Sequence, residues 1–149
     1  MSSETKKTIL VVDDTKINID ILLELLGDMY HVLVSLSAIK AIEILKKEHV
    51  DIILLDIHMP NMSGYEACKV LKSMEETKHI PIMFITSNSD EESIDIAFEA
   101  GGIDYITKPF KTLELLARIK THLNTQALIK ELEVSHREMK LLASQDYMT

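Results

Sequence analysis

The chain has 149 residues, 46% of them hydrophobic, and a formal net charge of −8 at pH 7. That length suits one domain with room for a small extension, and the composition excludes intrinsic disorder. The acidic balance argues against sequence-independent nucleic-acid binding. No run of about eighteen apolar residues exists to span a membrane. The start, Met1 to Lys7, has no signal-peptide layout. Cys68 is the single cysteine, so no internal disulfide forms, and a cytoplasmic location is expected.

In chain order, short apolar runs alternate with helical patterns. Strands are predicted near 8–13, 31–35, 51–56, 80–86 and 103–107, and helices near 16–28, 38–48, 64–75, 90–100 and from 111 onward. Ile17, Ile21, Leu22 and Leu25 are expected to form the inner face of the first helix, and Ala38, Ala41, Ile42 and Leu45 that of the second. Gly27 and Gly101-Gly102 suit left-handed helix ends. Ser87 or Ser89 is expected to cap the helix beginning near Asp90. Five strands alternating with five helices predict an α/β, doubly wound parallel sheet.

The last helical stretch is too long for the domain. No Pro or Gly interrupts it from Phe110 to about Ser144, a reach of roughly 50 Å at 1.5 Å per residue. Leu113, Leu116, Ile119 and Leu123 form an early apolar stripe expected to pack on the sheet. Leu128, Leu132, Met139 and Leu142, with Ser135 in the same series, form a later stripe out of phase with the first. A second copy in a coiled coil is its simplest partner. The boundaries read from this are 1–123 for the domain and 124–149 for a helical linker.

Asp13-Asp14 and Asp56 each end an apolar run. In open α/β sheets, ligands bind beyond the carboxyl ends of the strands. Three carboxylates converging there repel one another unless a cation joins them. Hard oxygen ligands favour Mg²⁺. Asp56 is then placed to act as a nucleophile toward phosphorus, with Lys108 after the fifth strand and Thr86 at the end of the fourth to stabilise the charge brought in.

Taken together, Asp13-Asp14, Asp56 with Met59-Pro60 and Gly64, Thr86, and Tyr105 with Lys108-Pro109-Phe110 resemble the receiver domain of two-component response regulators, over roughly residues 7–123. The resemblance implies a flavodoxin-like fold with strand order 2-1-3-4-5. It implies that Asp56 is the phospho-acceptor, fed by a sensor histidine kinase or phosphotransfer protein. The metal ligands it implies are Asp14, Asp56 and the backbone carbonyl of His58, with Asp13 acting mostly through water. Lys108 would contact the phosphoryl group across a cis bond to Pro109. Thr86 and Tyr105 would form a switch acting on the face of the fourth helix, fifth strand and fifth helix, where a homodimer is expected. Such a domain is regulatory, with self-catalysed phosphoryl transfer and dephosphorylation. Ser87 and Gly102 stand where alanine is usual, and His58 and Asn88 occupy the positions that tune acyl-phosphate lifetime.

The final Asp146-Tyr147-Met148-Thr149 is similar to the entry of GGDEF-type diguanylate cyclase domains, where Gly-Leu usually follows. A missing output domain of that kind is therefore expected. Three alternatives stand beside this reading. One is a phosphatase of the haloacid-dehalogenase type, although those enzymes carry Asp-x-Asp after the first strand. Another is a flavodoxin, which needs a hydroxyl-rich loop where this chain has Asp13-Asp14-Thr15-Lys16. The third is a stand-alone or degenerate receiver used as a dimerisation module.

Overall fold

The computed structural model describes the backbone of residues 6–87 and 91–148, and side chains over 6–87 and 94–139. The elements run β1 (Thr8–Val12), α1 (Lys16–Leu26), β2 (His31–Ser35), α2 (Ala38–Lys47), β3 (Ile52–Asp56), α3 (Gly64–Ser73), β4 (Ile82–Thr86), α4 (Glu91–Glu99), β5 (Asp104–Thr107) and α5 (Thr112–Met148). The five strands form one sheet in the order β2-β1-β3-β4-β5, every pair parallel. The predicted architecture and the strand order implied by the resemblance both hold. Two compact units divide the chain, Met1–Leu116 and Ala117–Thr149.

The middle strands read as unbroken apolar runs because both faces of the sheet are covered. All five residues of β3 and all five of β4 are buried. Leu10, Val12, Ile53, Leu55, Ile82 and Phe84 face one layer, against Ala38, Ala41 and Leu45 of α2, Ala67, Cys68 and Leu71 of α3, and Ala97 of α4. Alternation turns Ile9, Val11, Ile52 and Leu54 to the opposite face. There α1 buries Ile19, Leu22 and Leu26.

That last face differs from the expected one. Ile17 is 70% exposed, Ile21 is exposed and Leu25 is half-buried. Positions 19, 22 and 26 keep the i, i+3, i+7 spacing, so a neighbouring stripe of the same apolar helix turns inward. The α2 face is as expected, with Ile42 half-buried. Leu113 is also misassigned. It is 84% exposed, whereas Leu115 is buried and Leu116 half-buried.

Helix ends follow local chemistry. The Ser37 hydroxyl accepts from the Lys40 N–H at 3.2 Å to cap α2. Ser63 and Glu66 form a reciprocal capping box at the start of α3, the structural form of a Ser-x-x-Glu signature in the sequence. Gly101 sits at φ +111°, a conformation natural to glycine. Gly27 does not; it ends α1 with φ −62°, still right-handed, its N–H bonded to Leu23 O. The expected cap of α4 by Ser89 at Asp90 lies outside the described residues, as does Asn88.

Candidate functional site

The parallel register brings the carboxyl ends of β1, β3 and β4 side by side. Val12 pairs with Leu55, so Asp13, one residue past β1, lies beside Asp56 at the end of β3. Carboxylate oxygens of Asp13, Asp14 and Asp56 all lie within 4.8 Å of one another. Asp13 and Asp56 are buried, and Asp14 is exposed. Such a set is costly without a cation, because like charges and lost hydration both oppose ionisation.

Partial compensation is visible. The Thr15 N–H donates to Asp13 Oδ1 at 2.9 Å. Asp13 Oδ2 is buried without a hydrogen bond. The Lys108 ammonium stands 3.6 Å from that oxygen and 3.6 Å from Asp56 Oδ1. Both separations are beyond direct hydrogen-bond length. Burial, then the Asp13 charge, pushes the Asp56 carboxyl up from 3.8 to about 6. Lys108 and the His58 backbone N–H act in the opposite sense, and Asp14 adds to the rise. The acids are therefore undercompensated by the protein alone. A buried carboxylate oxygen without a donor, within reach of two further hard oxygen ligands, fits Mg²⁺.

The loop after β3 is built for close approach. The Gly64 N–H bonds to Ile57 O at 2.8 Å. A Cβ on Gly64 would run into the Asp56 carbonyl oxygen and lie 2.9 Å from Ile57 Cα. The capping box of Ser63 and Glu66 thus anchors the helix start whose glycine touches the Asp56 backbone. Asn61 holds φ +71° in the preceding turn, a conformation that asparagine tolerates. The His58 imidazole is exposed, consistent with a role for its backbone only.

Lys108 arrives from β5. Its N–H donates to Thr86 O at 2.8 Å, extending the β4–β5 ladder past Thr107, and its bond to Pro109 is cis. Thr86 is buried at the end of β4. Tyr105 does not stand at the carboxyl end of its strand. It is the second residue of β5, paired with Phe84, while Thr86 pairs with Thr107. Residues two apart on a strand share a face, so Thr86 and Tyr105 point to the same side, one register step apart. Tyr105 is partly buried against the cluster that contains Phe84. Cys68 is fully buried, its thiol donating to Ala100 O at 3.3 Å, and burial pushes it up to about 11. It is a core residue.

Comparison with known proteins agrees with this geometry. Residues 9–120 match the model of the response regulator receiver domain. A "Probable cyclic di-GMP phosphodiesterase" of Vibrio cholerae is 39% identical over 126 residues, covering 85% of this chain and 29% of the relative. The "Transcriptional regulatory protein YvrH" of Bacillus subtilis is 40% identical over 126 residues, covering 83% of this chain and 52% of the relative. The chain thus spans only about a third to a half of these relatives. Among solved structures, the receiver domain of a sensor histidine kinase from Pseudomonas aeruginosa has a magnesium ion coordinated in its active-site cleft. It is 27% identical, covers 80% of this chain and 99% of its own, and superposes with a TM-score of 0.75. The family match also decides against the phosphatase and flavodoxin alternatives. The chain belongs to the response regulator receiver domains, the phosphoryl-accepting switches of two-component signalling.

Proposed function

We propose that Asp56 is the phospho-acceptor and that Asp13, Asp14, Asp56 and the His58 carbonyl hold the magnesium ion. The observation that carries this is the undercompensated acid cluster, with one cation, Lys108, 3.6 Å from two of its members. The donor is a phosphohistidine on a histidine kinase or phosphotransfer protein. An Asp56 oxygen forms a bond to phosphorus as the P–N bond breaks, and the departing imidazole nitrogen keeps the electron pair and takes up a proton. Bound Mg²⁺ supplies positive charge against the incoming phosphoryl oxygens. Lys108 exchanges its carboxylate neighbours for those oxygens.

The Thr86 hydroxyl then donates to the phosphoryl group, and Tyr105, on the same face, moves inward behind it. The bound group favours whichever conformation places Thr86 and Lys108 on it, which is a population shift. Residues 1–123 act as the receiver and 124–149 as a helical linker; the family match ending at residue 120 supports that division. The output runs through a homodimer made by the α4–β5–α5 face and the C-terminal helix. Exposed Ile96, Phe98 and Ile103 near that face support the first contact. A diguanylate cyclase is the output domain suggested by Asp146 to Thr149, and the cytoplasm the expected compartment. No helix among the described residues is long and apolar enough to cross a membrane.

The test is intact mass after incubation with Mg²⁺ and a small acyl-phosphate donor. One added phosphoryl group is expected, and none in Asp56→Asn; uptake by the variant would end the assignment. For the switch, Thr86→Ala should lose the active-like shifts that a phosphoryl mimic induces around Tyr105. A full-length protein without diguanylate cyclase activity would remove the output reading alone.

A further inference from the structure

Three exposed apolar residues of α5 lie in a narrow stripe. Leu128 is 60%, Leu132 69% and Met139 68% exposed. At 100° per residue they fall within about 40° around the helix, and Ser135 stands about 20° to one side. The steps 128→132→135→139 are four, three and four residues, the alternation of a coiled-coil seam. With Leu132 and Met139 at a, and Leu128 and Ser135 at d, the flanks are defined. Glu131 and Glu138 occupy g, and Ile129 and His136 occupy e.

The flanking charges choose between the two ways a second copy can lie along this stripe. In parallel, each g residue faces the e residue five places further along the other copy. Glu131 then faces His136 on both sides of the seam, and an imidazole donates to a carboxylate in either protonation state. In antiparallel, stacking Leu128 on Met139 and Leu132 on Ser135 brings g against g along one side of the seam, where Glu131 meets Glu138 twice, while Ile129 lies against His136 on the other side. Like charges in contact are unfavourable. The same stripe thus carries one attractive arrangement and one repulsive one.

We propose that a second copy of this chain covers the stripe in parallel and in register. The two Ser135 residues share a layer, and Glu131 faces His136 of the second copy across each seam. This rests on the dimeric reading above and adds orientation and register to it. The polar serine layer and the short seam keep the pair separable, which suits a linker that must respond to its receiver.

Sedimentation of the whole chain over a range of concentrations, with and without Mg²⁺ and an acyl-phosphate donor, tests dimerisation. A disulfide tests orientation. Thr125 is exposed and lies one heptad before Leu132, at the preceding a position of the same seam. Thr125→Cys should cross-link two copies under mild oxidation in the parallel register, whereas antiparallel stacking sets 125 opposite 142. Cys68 is fully buried and stays silent. Glu131→Lys should weaken the dimer by about three- to tenfold, and adding His136→Glu should restore it. A dimer that neither cross-links through Thr125→Cys nor responds to Glu131→Lys overturns the parallel register and leaves the dimeric reading standing. A chain that stays monomeric under both conditions overturns both.

Discussion

Strand β3 carries an acid at each end, and the two have opposite fates. Asp51, just before Ile52, is satisfied. Its Oδ2 accepts the Thr8 N–H at 2.8 Å and its Oδ1 meets His49 Nε2 at 3.0 Å. It ties β3 to β1 at the amino edge of the sheet. Asp56, five residues on, is more deeply buried yet faces Asp13 and Asp14, with a lysine held 3.6 Å away. Burial and the neighbouring acids raise Asp56 to about 6. An acid given donors stabilises the fold. An acid crowded by other acids holds a site ready for a cation and a phosphoryl group, at a cost to the metal-free protein.

The largest effect that can break this contrast is functional. Asp56→Asn should abolish phosphoryl uptake from an acyl-phosphate donor, while Asp51→Asn should leave it intact, both read by intact mass. Loss of uptake in the Asp51 variant would mean that the two ends of β3 do not differ in role.

The next effect has a sign that depends on pH. The folded state holds the Asp56 proton more tightly than the unfolded chain, whose ordinary value is 3.8. The stabilisation from that proton is complete below 3.8 and lost as pH rises through about 6. In chelator at pH near 8, Asp56→Asn should therefore raise stability by about 2–3 kcal/mol. The gain should shrink as pH falls through about 6 and vanish below 3.8. Thermal or denaturant unfolding across that range measures it. A loss of stability at pH 8 would show that Asp56 is as well satisfied as Asp51.

A third test sharpens the contrast at the backbone. Gly64→Ala forces a methyl group onto the Asp56 carbonyl. It should cost about 1–3 kcal/mol and slow phosphoryl uptake. The smallest test is Ser63→Ala, which removes the capping box and should cost about 1 kcal/mol in denaturant unfolding. Retained phosphoryl uptake in that variant would show that the cap stabilises α3 without setting the geometry of Asp56.

Much of this architecture is written in the residue order itself. Residues 52–55 and 82–85 are apolar without alternation, and that alone calls for strands covered on both faces. Asp13, Asp14, Asp56, Thr86 and Lys108 follow strand ends, and a parallel sheet places strand ends of one kind along one edge. The approximate location of the site thus followed from local pattern and one topological rule. The inner face of α1 did not. Its residues from Ile17 to Leu26 are apolar on several sides, and periodicity cannot rank stripes that are equally hydrophobic. Leu113 and Leu115 pose the same ambiguity at the start of α5.

What the residue order determined by itself was the alternation of elements, the identity of the acids and the heptad spacing after residue 125. These depend on neighbours within a turn or a strand, where the chain's own geometry sets distances. Only the tertiary structure decided which acid is satisfied and which is not. Asp51 meets Thr8 across 43 positions, and Asp56 meets Asp13 and Lys108 from two other strands. Such encounters depend on sheet register, and register is set by the packing of every strand against both layers at once.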